Sequence, residues 1–282
     1  MNPKLGCHVS ITGNVDKAFD RAKIIGCETF QIFLKSPRMW RLRIFNEKEV
    51  ANFKAKSKTY SIAPIIGHIS YLPNLASQNE EIYKKSIHSF VKEIKLCKLL
   101  EIPYLVIHSG SYKGNSFEKG FVTYISSIMK GIEAAEGKIM LLVENTGSTK
   151  NSLTAKFEHI EKVLNEINDK KSVGTCFDTC HAYAAGYDLS TARSVNKTLE
   201  DIESTFGTAN IHVIHANDTI GELGSNLDRH EHVGLGKIGK EGFETLINHN
   251  LLRNKPWILE TPIDERRDDR KNIDYLRGLC KK

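Results

Sequence analysis

The stretch "IMLLVE", Ile139 to Glu144, is five apolar residues in a row closed by a single carboxylate. A strand with one face in water alternates apolar and polar residues. An unbroken run of this length belongs to a strand covered on both faces, as parallel strands between helices are. "LVIH", Leu105 to His108, and "PWILE", Pro256 to Glu260, repeat the pattern, each ending in a polar residue that can bind a metal.

Working outward, the same rhythm runs through the chain: a short apolar run, a polar or Gly-containing loop, then a longer helix-periodic segment. Strands are expected at Leu5–Val9, Thr29–Phe33, Pro64–His68, Tyr104–His108, Met140–Glu144, Val173–Phe177, Ile211–His215 and Trp257–Glu260. Helices are expected at Val15–Ile25, Glu47–Ser57, Glu80–Leu100, Phe117–Ala135, Ala155–Ile167, Val195–Phe206, Glu241–His249 and Arg270–Leu279. Eight alternating pairs close most simply into a (β/α)8 TIM barrel. An open doubly wound sheet is the other arrangement, but no Gly-x-Gly-x-x-Gly follows the first strand.

The chain has 282 residues, which suits one barrel domain spanning 1–282. Hydrophobic residues make up 40% and charged residues 26%, an ordinary globular balance. No run approaches the ~20 apolar residues of a membrane span. The N-terminus enters a strand without a cleavable leader, so a cytoplasmic protein is expected, or a nuclear or mitochondrial one in a eukaryote. Cys7, Cys27, Cys97, Cys176, Cys180 and Cys280 form no Cys-x-x-Cys pair and are read as reduced thiols. The net charge of +6 leans mildly towards polyanions.

The strand ends carry the chemistry. Successive strands finish in His68, His108, Glu144, Asp178, His215 and Glu260. In a barrel all of these meet at the C-terminal mouth. Singly, each reads as a hydrogen-bonded polar residue or a helix cap. Together, three carboxylates and three histidines in one mouth would be expensive buried charge, and divalent cations remove that cost. Asp178 is followed by His181, and a later loop carries Asp228, His230 and His232. Alternate residues of extended backbone share a side, so Asp228 and His230 can serve one further ion. At this level His232 could replace or assist His230. Mixed imidazole and carboxylate ligands favour zinc, with manganese or iron as alternatives, over calcium or magnesium. His8 reads as packing or support behind the ligands, His212 as structural, and His88, His159 and His249 as ordinary helix residues. Such a cluster suits phosphate-ester hydrolysis, in which paired ions activate water and stabilise the leaving oxygen.

"GCHVS", "FQIFLKSPRMW", "VIHSGS", "LVENT", "FDTCHAYAAGYD", "HANDT", "DRHEHVGLGKIG" and "LETP" together resemble the endonuclease IV family, from the first strand to the last. These are zinc-dependent apurinic/apyrimidinic endonucleases of base excision repair. The resemblance implies a trinuclear zinc centre, about three ions per chain, with manganese possible in some sites. His68, His108 and Glu144 would bind one ion, and Glu144 would bridge to a second held by Asp178, His215 and Glu260. His181, Asp228 and His230 would hold the third, which resolves the choice against His232. Glu144 and Glu260 would be the catalytic carboxylates. The implied reaction is cleavage 5′ to an abasic site in duplex DNA, giving a 3′-hydroxyl and a 5′-deoxyribose phosphate, with cleaning of blocked 3′ ends. The implied protein is a monomer acting on DNA. Arg38 matches the family's inserting arginine, and Tyr71 with Leu72 the wedge that unstacks the duplex. The chain departs from the common pattern at Gly13-Asn14 and at Ser36-Pro37, where proline stiffens the loop before Arg38. The competing expectation is a metal-dependent sugar isomerase or epimerase on a related barrel, with fewer ligands. A DNA-binding protein with purely structural zinc would need closed coordination without turnover.

Overall fold

The computed structural model describes residues 3–41, 43–147 and 151–281. Eight parallel strands form one sheet: β1 (Lys4–Cys7), β2 (Phe30–Phe33), β3 (Ile65–His68), β4 (Tyr104–Ile107), β5 (Met140–Glu144), β6 (Val173–Asp178), β7 (Ile211–His215) and β10 (Pro256–Leu259). Their spatial order is β1-β10-β7-β6-β5-β4-β3-β2. The gap between β1 and β2 is closed at the mouth end by a parallel bridge between His8 and Gln31. Val9 N–H donates to the Gln31 carbonyl at 2.7 Å and Glu28 N–H to the Leu5 carbonyl at 2.7 Å, so the barrel is joined all round. Gly6 permits this closure, because a Cβ there would overlap the Thr29 carbonyl.

The helices between strands are α1 (Lys17–Ile25), α2 (Glu47–Thr59), α3 (Glu80–Leu100), α4 (Phe117–Ala135), α5 (Phe157–Ile167), α7 (Ala192–Ser204), α8 (Gly239–Asn248) and α9 (Asp269–Gly278). Each lays an apolar stripe on the barrel; α5 buries Phe157, Ile160 and Val163 at helical spacing. The starts follow capping chemistry. Asn46 and Glu49 form a reciprocal capping box on α2, and the Asn79 side chain accepts the Ile82 N–H on α3. The α7 start lies three residues ahead of the expected Val195, because Thr191 and Ser194 cap each other there.

A short helix and a small hairpin were not expected. α6 (Thr179–Ala184) is six residues long, too short to show a period, and exists because the Asp178 side chain accepts the His181 N–H at 2.7 Å. β8 (Asp218–Thr219) pairs antiparallel with β9 (His230–Glu231), so the segment read as an open loop is pinned as a hairpin.

Inside the barrel, Ile66, Val106, Leu142, Cys176, Val213 and Ile258 form a closed apolar layer. Each lies two residues before a strand-end ligand candidate, as the period of two requires. On β7 this depends on an irregularity. Thr175 pairs with Ile211 but Cys176 with Val213, leaving His212 without a partner across β6. Without that extra residue Asp178 would face Ile214. With it, Asp178 pairs with His215, and the imidazole turns into the mouth.

Candidate metal centre

Glu144 is fully buried at the centre of the mouth, and its two carboxylate oxygens face different partners. Oε2 lies 2.8 Å from His108 Nε2 and 3.4 Å from His68 Nε2. Oε1 lies 3.0 Å from His215 Nδ1. His215 Nδ1 is also 3.8 Å from Asp178 Oδ2 and 3.5 Å from Glu260 Oε2. His181 Nε2, on α6, and His230 Nε2, on β9, face the two oxygens of Asp228 at 3.3 and 3.4 Å. All nine residues expected as ligands therefore converge. Among the described residues, close ligand-atom sets include His68 with Glu144 and His215, Asp178 with His215 and Glu260, and Asp178 with His181 and His230.

The hydrogen bonds behind these rings determine which nitrogen faces inward. His68 Nδ1–H donates to the Ile69 carbonyl at 2.7 Å, His181 Nδ1–H to the Asn145 carbonyl at 2.9 Å, and His230 Nδ1–H to the Glu260 carbonyl at 3.0 Å. Each turns its Nε2 into the mouth. His215 is reversed: its Nε2–H donates to Gln31 Oε1 at 2.8 Å, and Nδ1 faces the carboxylates. Gln31 also donates to Glu260 Oε1 at 2.7 Å. Asn217 donates to Asp178 Oδ2 at 2.7 Å and accepts the Glu260 N–H at 2.8 Å. Asn145 accepts the Asp178 N–H and donates to its carbonyl. Such partners orient metal ligands and raise their basicity.

Among the described residues, three buried atoms of the mouth have no hydrogen-bond partner: His108 Nε2, Glu144 Oε2 and His230 Nε2. The first two stand 2.8 Å apart. Orphaned buried acceptors are costly in a protein alone and are satisfied by a cation. The donor set thus fits mixed-ligand divalent ions.

The electrostatics agree. Burial works to raise the Glu144 pKa, but His215 and His108 outweigh it and hold the carboxyl well below its usual range. The His181 and His230 imidazoles beside Asp228 hold its carboxyl far down. Burial opposes charge on His230, yet Asp228 and Asp178 push its pKa up to about 9. Without cations the site stabilises itself by pairing carboxylates with imidazoliums.

The comparisons with known proteins bear on which enzyme carries this centre. Residues 19–279 match the family described as xylose isomerase-like TIM barrel. A "probable endonuclease 4" of Methanoculleus marisnigri is 45% identical over 277 residues, covering 98% of each chain. The chain belongs to the endonuclease IV family. The crystal structure of endonuclease IV from Thermus thermophilus superposes with a TM-score of 0.87 at 33% identity, covering 98% of both chains. A D-tagatose 3-epimerase-like protein, 20% identical with a TM-score of 0.75, shares the fold alone. This is thus an endonuclease IV-type enzyme, a repair nuclease built on a metal-ligating barrel.

Of the residues expected to touch DNA, Arg38 and Tyr71 are exposed and Leu72 is half-buried on the neighbouring loops after β2 and β3. Tyr71 is 60% exposed and its ring lies 5.1 Å from that of Phe33. The His8 ring lies 4.2 Å from that of Phe33, tilted by 48°, and meets Gln31 at 3.1 Å, behind the ligands. His232 turns from the mouth, meeting Asp264 at 2.9 Å and accepting from Asn272, so the hairpin presents His230. Gln31, Asn145 and Asn217 escaped the sequence reading. Two of them follow a strand-end ligand closely, which is a usable signal; Gln31 has none. Cys180, read as a plain buried thiol, lies in a close set with Asp228 and His230. Burial pushes its pKa up to about 12.

Proposed function

We propose that this enzyme hydrolyses the phosphodiester on the 5′ side of abasic sites in duplex DNA, leaving a 3′-hydroxyl and a 5′-deoxyribose phosphate, and also trims blocked 3′ ends. It does so as a cytoplasmic monomer with one barrel domain. The observation that carries the reading is Glu144, whose two buried oxygens face His68 and His108 on one side and His215 on the other. That is the arrangement of a carboxylate shared by two cation sites.

Three zinc ions fit the donors, with manganese acceptable at the oxygen-richer positions. His68, His108 and Glu144 would hold the first, Glu144, Asp178, His215 and Glu260 the second, and His181, Asp228 and His230 the third. Bound there, they would supply Lewis acidity, an activated water and stabilisation of the leaving oxygen. The protein's own part is to hold nine ligands in one mouth, Glu144, Asp178 and His215 fully buried and Asp228 exposed at its edge. Gln31, Asn145 and Asn217 keep them oriented. Glu144 and Glu260 would be the catalytic carboxylates. Gly147 keeps the floor beside His181 low, because a Cβ would come within 2.9 Å of the His181 Cα. The cleft between His108, His181, Asp228 and the Tyr71 loop has a volume of about 310 Å³. Tyr71 and Leu72 line it and Arg38 is exposed on the neighbouring loop, where they can enter a duplex and displace a nucleotide. A base-less nucleotide costs least to turn out, which favours the lesion.

The test is incision of an end-labelled duplex carrying one tetrahydrofuran abasic analogue, with zinc or manganese and again after prolonged chelation. The analogue resists β-elimination, so a lyase cannot imitate the product. Metal-dependent nicking that leaves a polymerase-extendable 3′ end is the expected result. No incision by folded, metal-loaded protein would overturn the reading, and free and phosphorylated sugars would be screened next.

A further inference from the structure

Lys35 and Glu93 form an ion pair outside the metal centre that is buried as completely as anything in the core, at 1% and 0% exposure. Lys35 ends the run after β2, and its ammonium donates to the Met39 carbonyl at 2.6 Å. It stands 3.9 Å from Glu93 Oε1, on α3. Glu93 Oε2 accepts the Ser70 N–H at 2.9 Å, and Oε1 accepts the hydroxyls of Ser70 and Ser89, each at 2.9 Å. Met39 directly follows Arg38, and Ser70 directly precedes Tyr71. One chain of polar contacts therefore joins the backbones of the two rim loops through the interior.

We propose that Lys35 and Glu93 are positioning residues for lesion recognition, holding the Arg38 and Tyr71 loops at one fixed separation. This rests on the abasic-site reading above.

Three features argue for positioning over mere stability. Buried ion pairs rarely add net stability over an apolar pair of similar volume, so stability alone is a poor reason for one here. The pair's bonds go to loop backbone, at Met39 and Ser70, and not to the barrel strands. The rest of the rim is gripped in the same way. Tyr71 N–H donates to the Pro37 carbonyl at 3.1 Å. Asn74 N–H donates to Ser86 Oγ at 2.9 Å, and Asn74 Oδ1 accepts the Ser111 N–H at 2.9 Å. The tip Tyr71-Leu72-Pro73 is thus clamped at both ends, by Glu93 through Ser70 and by Asn74. Preorganised loops bind without the ordering penalty a loose loop incurs.

The experiment compares Lys35→Met with the double variant Lys35→Met/Glu93→Gln, in the whole metal-loaded enzyme. Four quantities are read: melting temperature, metal content, KM and kcat on an abasic duplex, and hydrolysis of bis(p-nitrophenyl) phosphate, which needs no rim loops. Lys35→Met leaves Glu93 buried without its cation, so it melts early, and the double variant recovers that loss. The tie to Met39 stays broken in both. KM on abasic duplex should rise roughly tenfold in both, by analogy with other loosened supporting contacts, with kcat, metal content and small-diester hydrolysis within about threefold of the parent. Recovery of KM together with melting temperature in the double variant would show a purely structural pair and overturn the proposal. If Lys35→Met does not fold, the double variant decides alone. If neither folds, Ser70→Ala, which removes one hydroxyl from the chain, must raise KM and not kcat. A parent enzyme with no preference for abasic duplex would instead defeat the functional reading beneath it.

Discussion

Two layers of the barrel interior, two residues apart on the same strands, are built on opposite principles. The lower layer, Ile66, Val106, Leu142, Cys176, Val213 and Ile258, is a buried apolar cluster. The upper layer, His68, His108, Glu144, Asp178, His215 and Glu260, crowds charge together and leaves His108 Nε2 and Glu144 Oε2 without partners. The lower layer belongs to the stability of the fold. The upper one spends part of that stability on ligand sets that only cations complete. Because the strands are shared, each layer can be altered while the other is left in place.

The sharpest way to break the comparison is Glu144→Gln. The amide removes the shared negative charge from both cation sites, so incision should fall roughly a thousandfold or more. The metal-free protein should also melt earlier, because His215 and His108 lose the buried carboxylate they pair with. A variant that nicks abasic duplex at the parent rate would sink the assignment. Leu142→Ala, two residues below, should spare incision. Its cavity is expected to cost about 2–5 kcal/mol of folding stability, measured by denaturant unfolding, with kcat and metal content kept. A large loss of kcat in a folded Leu142→Ala protein would mean the layers are not separable.

Gln31→Leu tests whether the upper layer needs its supporting amide. It removes the acceptor for His215 Nε2–H and a donor to Glu260, and leaves all nine ligands. Metal retention against a competing chelator should weaken about 10–100-fold. Unchanged retention would show that the ring is oriented by packing alone. Tyr71→Ala, at the rim, should have the smallest effect, weakening binding to abasic duplex about tenfold, on the order of one stacked aromatic, and binding to intact duplex less. Equal loss on both would remove Tyr71 from lesion recognition.

Much of the lower layer and of the ligand set was legible because both follow from one rule. Strand side chains alternate, so a residue two before an inward ligand is also inward. That rule, with the apolar runs at Leu105–His108 and Ile139–Glu144, carried the barrel and six of the ligands. It could not reveal the irregularity at His212, which turns His215 inward, since an extra residue looks the same in sequence as any other. It also missed α6, which rests on a single cap from Asp178. Gln31 was invisible for a different reason. It belongs to β2, and its partners His215 and Glu260 lie 184 and 229 residues away in sequence.

The sequence by itself determined that eight strand–helix units would form a barrel and that imidazoles and carboxylates would collect at its mouth. Those outcomes depend on local periodicity and residue type. Only the tertiary structure decided which imidazole nitrogen faces the mouth, which partners each Glu144 oxygen meets, and that Lys35 and Glu93 tie two loops together through the interior. Each of these depends on distances between residues far apart along the chain, and such distances exist only once the barrel has closed.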